Sequence, residues 1–498
     1  MKNQNESNYF QVIWVGIGSL SSFGLSIIST VILSRYFDKA EYGTYRQIIY
    51  VYQMLLVIFS AGLPAVFSYY LPRFPLTEGK EIVFKISKML LFFGFLFSLF
   101  LFCFSDLIAK LLNNSDLAIG LKYFSPIPML LLPTLGLEGI FSTYKKTIFI
   151  AIYNTLTRLL MLIFIVLPVV LLNGTYLYAI YGWLAVSLIS FVIAYYFKGI
   201  PFKGVNNNNK TTLTFKEILN YSIPILFASA ASIAIRSADQ FYISRYFGPE
   251  VFSEFANGFI ELPFVEMIIG GSAVVLMPIF SKAFYENGNL NEVIIPWKNA
   301  IYKSALIIYP LVVFFIAYAS NIMVFLYSSK YSMSGEYFRI NLFLNFFNIL
   351  LFSPLFFAIG KARLYSYIHV IIAIAVWLIY YLVILIFNDP IAIAICSTIM
   401  NILKIIFFIF LAAKILKVNF TDLFPLKILI KIIFHSVTIV LIVKIILIHL
   451  IDYYSMSLQL MISSIVYMIL LLLTAPFMKI NYLSVFYPII EKIKRNRL

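Results

Sequence analysis

The segments VILSRYF at 31–37 and FYISRYF at 241–247 end in the same tetrapeptide, and each closes a long apolar run. The 210-residue spacing between them carries into the neighbouring sequence. Ser19 and Ser22 fall on Ser229 and Ser232, Phe74 on Phe284, and the small cluster Ser60, Ala61, Gly62 on Gly270, Gly271, Ser272. A four-residue match alone can arise by chance, but one register kept over roughly 65 positions argues for a duplicated half, and duplicated halves in an apolar chain point to a transporter.

Composition sets the solvent. The 498 residues are 62% hydrophobic and 12% charged with mean hydropathy +0.95, whereas soluble domains carry about 25% charged residues. The chain reads as an all-α polytopic membrane protein, because only helices and closed barrels satisfy their backbone in lipid and these runs lack the alternation of barrel strands. Apolar runs predict about fourteen transmembrane helices: 10–34, 44–70, 86–105, 122–143, 147–172, 175–197, 218–244, 255–280, 300–320, 338–359, 364–387, 390–413, 428–450 and 456–478. They are numbered as spans 1 to 14 below. Several contain proline, including Pro168, Pro224, Pro263, Pro310 and Pro354, each of which is either a static kink or a hinge.

The formal net charge is +16, yet the basic residues mark sidedness rather than a nucleic-acid surface. Of the 37 lysines and arginines, 25 fall at the N-terminus, in the even-numbered loops and in the tail, against 8 in the odd-numbered loops. Both termini are therefore expected in the cytoplasm. The polar stretch from Lys198 to Glu217, with Gly199, Pro201, Gly204 and the run Asn206 to Asn209, separates the halves. The expected organisation is an N-terminal six-helix lobe (1–198), a cytoplasmic inter-lobe linker (199–217), a C-terminal six-helix lobe (218–413), and helices 13 and 14 with a basic cytoplasmic tail (414–498). Six spans separate the two SRYF sites, so the lobes form a parallel repeat about an axis along the membrane normal.

Familiar catalytic signatures are missing. The sequence has no GxxxxGK[ST] loop, no HExxH and no CxxC, so neither a nucleotide, a metal nor another cofactor is expected. Gly16 and Gly18 read as small residues at a helix contact. Cys103 and Cys396 lie in opposite halves and read as packing residues, and His369, His435 and His449, which have no carboxylates at triad or ligand spacing, read as packing or interfacial residues.

The informative polar residues are in spans 7 and 8. Arg236 and Asp239 are three apart and share a helix face with Ser232 and Gln240, and each charge at mid-bilayer costs about 2.5–3.5 kcal/mol on insertion scales. Glu261 and Glu266 flank Pro263. A hairpin about Gly248 to Glu250 sets Asp239 level with Glu261 and Arg236 level with Pro263, giving a cluster of four ionisable groups. The first half has Ser26, Ser29, Val51 and Leu56 at the equivalent positions. Two readings stand: an ion-pair network holding two helices together, or a wet cavity in which Arg236 meets an anionic cargo and Asp239, Glu261 or Glu266 exchanges protons or Na⁺. Arg158 in span 5 and Lys404 in span 12 are further cations suited to a phosphate in that cavity, and Lys404 and Lys444 are equally open to snorkelling. Glu138, seven residues before Lys145, is expected near the membrane interface.

The pattern Arg35-Tyr36-Phe37 followed by Glu41-Tyr42-Gly43-Thr44-Tyr45 resembles the end of helix 1 in bacterial polysaccharide-biosynthesis oligosaccharide flippases of the Wzx type. Leu326-Tyr327 to Lys330-Tyr331 with Arg339 is similar to that family's loop after helix 9, and Ala358-Ile359-Gly360-Lys361-Ala362 to its loop after helix 10; Ser328-Ser329 departs from the family's glycine-rich pattern. The resemblance implies the fold of the multidrug/oligosaccharidyl-lipid/polysaccharide exporter superfamily, two six-helix lobes working by alternating access. It implies a non-enzymatic flippase in the bacterial cytoplasmic (inner) membrane, moving undecaprenyl-pyrophosphate-linked oligosaccharide with a proton or Na⁺ as coupling ion, amid membrane lipids and other glycan-assembly proteins. Fourteen helices also resemble the lipid II flippases, in which the extra pair forms a groove for the lipid tail. The rival readings are a cation-coupled multidrug exporter of the same fold, a membrane glycan polymerase or glycosyltransferase, and a scaffold for glycan assembly.

Overall fold

A computed structural model describes residues 2–204, 211–286, 290–447, 454–485 and 487; the run Asn206–Asn209, His449 and the basic residues beyond Tyr487 lie outside the described residues. Every regular element among the described residues is helical. Eleven helices are long and apolar enough to cross a membrane, and the bent pair Lys39–Phe59 with Leu63–Arg73 makes a twelfth. The chain is a multi-pass membrane protein, and among the described residues up to twelve of the expected fourteen spans are found. The first expected span falls within the helix Lys2–Tyr36, and the tenth is split into Ser334–Leu342, a 3-10 turn at Phe343–Phe346 and Ser353–Ala358; neither is among the twelve. The split has a local cause: the Asn345 carboxamide donates to the Leu342 carbonyl at 3.3 Å, and Pro354 restricts the residue before it.

The chain folds as two compact units, Met1–Ser253 and Glu254–Leu498. Within the first, Gly18 lets Lys2–Tyr36 close on the fifth span, since a Cβ there would meet the Ala151 Cα at 2.9 Å. The tyrosine- and glycine-rich stretch after the first helix forms a junction. Asp38 caps the next helix by accepting from the Glu41 N–H at 2.7 Å, and Glu41 in turn accepts from the Tyr176 N–H at 2.7 Å, at the start of the sixth span. Gly43 faces the Pro249 carbonyl so closely that a Cβ would lie 2.0 Å from its oxygen. Gln47, fully buried, donates to the hydroxyl of Ser244 at 2.7 Å and accepts from Asn114, which also donates to Thr44 at 2.9 Å. The serine of the second SRYF is thus pinned inside this unit. The expected turn at Gly248 is present: the helix Phe215–Gly258 is interrupted there by φ 79, ψ −178.

The fifth span shows how proline reshapes a membrane helix. Pro168 has no N–H for the carbonyl of Phe164, and the helix answers with a π turn at Leu162–Val166 between Ile148–Met161 and Leu167–Leu171. Gly182 of the sixth span lies against that carbonyl, where a Cβ would sit 1.9 Å from the oxygen.

In the second unit, Trp297 is fully buried and donates to the Leu423 carbonyl at 2.8 Å, while neighbouring Lys298 pairs with Asp422 at 3.1 Å. That hydrogen bond, with the Asn419 N–H, holds the Asp422 carboxyl below the usual carboxylate range. Spans 13 and 14, Leu426–Leu447 and Met456–Thr474, pack on span 9. Tyr467 donates to the Pro310 carbonyl at 2.9 Å, and Lys444 donates to the Ala317 carbonyl at 2.6 Å, so Lys444 caps a helix end. His435 is a packing residue as expected, with its two ring nitrogens bonded to Tyr482 and Thr474 at 2.9 Å. Cys103 and Cys396 are free thiols.

These contacts predict opposite effects for two glycine substitutions. Gly182→Ala should destabilise the protein by about 1–3 kcal/mol, because a methyl group must push into backbone. Gly24→Ala, with nothing within 4 Å of its Cβ position, should be neutral or slightly stabilising. Thermal melting of the two variants in detergent checks the difference.

Candidate functional site

Two membrane helices in the first unit are broken, and their breaks face one cavity. The second span stops at Phe59, passes through Ala61 (φ 50) and Gly62 (φ 67), and resumes at Leu63–Tyr70 with a bend of 46°. Gly62 is required there by a positive φ and by the Ser222 carbonyl, which a Cβ would approach to 2.5 Å. The fourth span runs from Asp116 in short pieces: Ile127–Leu131, a 3-10 turn at Leu132–Thr134, an extended Leu135, Gly136 in the left-handed region, and Leu137–Thr143. Pro126, Pro128 and Pro133 explain the fragmentation, since each removes a donor from the helix ladder.

Irregular backbone at membrane depth is tolerated where it is buried in protein or lines a cavity. Here it does both. A cavity of about 580 Å³ is lined by Pro64 and Ser68 after the first break, by Thr134–Gly139 and Ser142 around the second, and by Ile150, Tyr153 and Asn154 of the fifth span. Its size is that of an ordinary small-molecule site. Two lining groups are occupied: Thr134 donates to the Leu131 carbonyl at 2.7 Å and Tyr153 to the Ser190 carbonyl at 3.4 Å. The Glu138 carboxylate, the Asn154 carboxamide and the hydroxyls of Ser68 and Ser142 have no hydrogen-bond or ion-pair partner among the described residues.

Behind the break sits Lys198, 7% exposed. Sequence places it with the linker cations, but the structure turns its ammonium inward, donating to Ser87 at 2.8 Å and to the Pro133 carbonyl, 5.4 Å from the Phe67 ring centroid. It satisfies a carbonyl freed by the break and so holds the wall of the cavity.

Arg158 stands four residues beyond Asn154 on the same helix, and therefore on the same face, about 6 Å along the axis. Its side chain is exposed, with Nη1 3.5 Å from the Met161 sulfur, and it lies in the electrostatic reach of the phenols of Tyr52, Tyr153 and Tyr45. Of the six residues singled out from sequence, it is the one on a helix that lines the cavity.

Arg236 and Asp239 lie in the helix Phe215–Gly258, with Arg236 exposed and Asp239 buried, accepting from the Gln240 N–H at 2.7 Å. Glu261 and Glu266 belong to the second unit and do not share one helix. The chain is non-helical at Ile260–Leu262, where the Asn341 carboxamide donates to the Ile260 carbonyl at 2.8 Å, and the helix starts at Pro263 with Glu266 in its first turn. The expected continuous span 255–280 is thereby corrected to a break, which proline at the first helical position favours. Lys404, also in the second unit, donates to Asn401 at 2.8 Å, and its charge reaches His369. Among the described residues no group of three His, Cys, Asp or Glu converges as a metal site. Sequence reading missed Glu138, Asn154 and Lys198 as site residues; the crowding of Pro126, Pro128, Pro133 and Gly136 in span 4 was the available signal.

The family model described as polysaccharide biosynthesis protein matches residues 11–284, more than half of the chain. Among solved structures, the lipid II flippase MurJ in an inward closed conformation superposes with a TM-score of 0.70 at 17% identity, covering 93% of this chain and 99% of that one. An inward-facing multidrug resistance MATE family transporter of the MOP superfamily gives 0.66 at 14% identity, over 79% of this chain and 94% of its own. A Pyrococcus furiosus transporter of the MOP superfamily, described as having a binding pocket of reverse polarity, gives 0.58 at 14% identity over 82% and 95%. No curated protein matches the sequence. With its all-helical architecture and broken membrane spans, the chain belongs to the polysaccharide biosynthesis protein family and has the MOP-superfamily fold.

Proposed function

We propose that the protein is a flippase that carries undecaprenyl-pyrophosphate-linked oligosaccharide from the cytoplasmic to the periplasmic leaflet of the bacterial inner membrane. The observation that carries the reading is the family match over residues 11–284, joined to a MurJ-like fold over nearly the whole chain. In this reading residues 1–198 and 218–413 are the two lobes, 199–217 the linker, and 414–498 the added helices and tail, with both termini cytoplasmic. The lobes alternate in exposing a central cavity to either side, driven by a proton or Na⁺ gradient, with no covalent chemistry at any residue. Arg236, Arg158 and Lys404 meet the pyrophosphate, and Asp239, Glu261 and Glu266 are the candidates for ion coupling.

Electrostatics supports the assignment. A pyrophosphate that leaves water must find cationic partners, and exposed Arg158 offers a planar, permanently charged fork. A drug exporter of the same fold has the MATE likeness in its favour, but the family description speaks for glycan biosynthesis.

Two measurements test the proposal. Arg158→Ala and Arg236→Ala should each lower lipid-linked glycan translocation by about 10- to 100-fold, the range for losing a charge-assisted hydrogen bond, while membrane abundance stays normal. Parallel loss of protein and activity would instead assign the arginines to folding. Asp239→Asn or Glu261→Gln should change the dependence of transport on pH or Na⁺, and an unchanged dependence removes that residue from the coupling route.

A further inference from the structure

We propose that the cavity between the broken second and fourth spans is a subsite for the hydroxyl-bearing sugar next to the pyrophosphate, with Glu138 and Asn154 as its principal hydrogen-bonding residues. The assignment rests on the flippase reading and gives it a location. Sequence marks the break in span 4; the geometry brings these two residues together at it.

The first ground is polar inventory. Half-buried Asn154 and exposed Glu138, Ser68 and Ser142 present hydrogen-bonding groups, unpartnered among the described residues, to one half-open cavity. Exposed groups of this kind are open to water or to a ligand that can match their donors and acceptors. A sugar unit presents hydroxyls that both donate and accept, which is what a carboxylate, a carboxamide and two serines can match.

The second ground is charge. A single carboxylate repels an anionic group and so turns the pyrophosphate away from this space, while Arg158, one helical turn beyond Asn154, attracts it. Acceptor-rich cavity and adjacent cation thus reproduce the polarity of a sugar joined to a pyrophosphate. The third is size. About 580 Å³ suits a small-molecule moiety and far exceeds what a bare ion needs, and no second acidic side chain, His or Cys lines the cavity.

The wall is built to keep this shape. Lys198 ties the Pro133 carbonyl to Ser87, and Gly136 and Gly139 let the half-helix Leu137–Thr143 lie against Phe67 and Ser68, where Cβ atoms would come within 2.2 Å and 2.7 Å of them. A site needs rigid support to discriminate between ligands.

The test uses the full-length protein in lipid nanodiscs and three probes: undecaprenyl pyrophosphate, and the same lipid bearing a single hexose or a single N-acetylhexosamine. The wild type should bind at least one sugar-bearing lipid more tightly than the bare one. Glu138→Ala and Asn154→Ala should each weaken that sugar-bearing lipid by about 3- to 10-fold, the worth of one or two hydrogen bonds, and leave the bare lipid and the melting temperature unchanged. Arg158→Ala should weaken all three. Equal weakening of bare and sugar-bearing lipids by the cavity variants, no effect on either, or no preference in the wild type overturns the subsite. So does a Glu138→Gln variant that keeps the sugar preference while changing the Na⁺ or pH dependence of translocation, which assigns the carboxylate to an ion. Wild-type protein that binds none of the lipids brings down the flippase reading itself.

Discussion

A backbone carbonyl released from its helix in hydrocarbon has no water to turn to, and the architecture of this protein is organised around meeting that demand. Several interruptions of membrane helices are accompanied by a specific partner. Lys198 takes the Pro133 carbonyl, Asn341 the Ile260 carbonyl, Lys444 the Ala317 carbonyl, and Arg339 the Ile316 carbonyl at 3.4 Å. At the π turn of the fifth span, Gly182 lets the sixth span lie close against the Phe164 carbonyl. Three of the four side-chain partners are cations, so basic residues that seem isolated in an apolar sequence hold broken helices together.

The same constraint produces the cavity. Straight helices packed side by side leave no space of ligand size, but breaks in adjacent spans displace the following turns and open one. At the 210-residue offset the 3-10 turn Leu132–Thr134 of the fourth span falls on Leu342–Leu344, which overlaps the 3-10 turn Phe343–Phe346 of the tenth, so both halves break near the same place. The lining is not duplicated. Glu138 and Asn154 correspond by offset to Asn348 and Leu364, and the polar cavity is a property of the first unit. Duplication supplies the scaffold, and divergence of a few side chains supplies the chemistry.

Much of the fold was legible because bilayer thickness acts on local sequence. Apolar length, the polar, asparagine-rich linker and the repeated SRYF predicted an all-helical membrane protein with helix boundaries close to those found, as at Tyr176–Gly199 against 175–197 and Pro390–Leu416 against 390–413. The residues that carry the family resemblance also proved structural for readable reasons: Glu41 caps the start of the sixth span, and Gly43 stands where backbone leaves no room for a side chain. Less legible were the first and tenth spans and the break before Pro263, because proline and asparagine can bend, split or merely decorate a helix depending on what neighbouring helices offer.

The sequence by itself determined the solvent, the helical class, the repeat and the family, since each follows from composition, periodicity or motif along the chain. Tertiary structure alone decided that Lys198 points inward and that Glu138 and Asn154 share a cavity. The physical reason is that a polar residue in an apolar run has one cost but several remedies. It can reach the interface, pair with a neighbour, mend a broken backbone or face a ligand, and only the packing of elements distant in sequence selects among them.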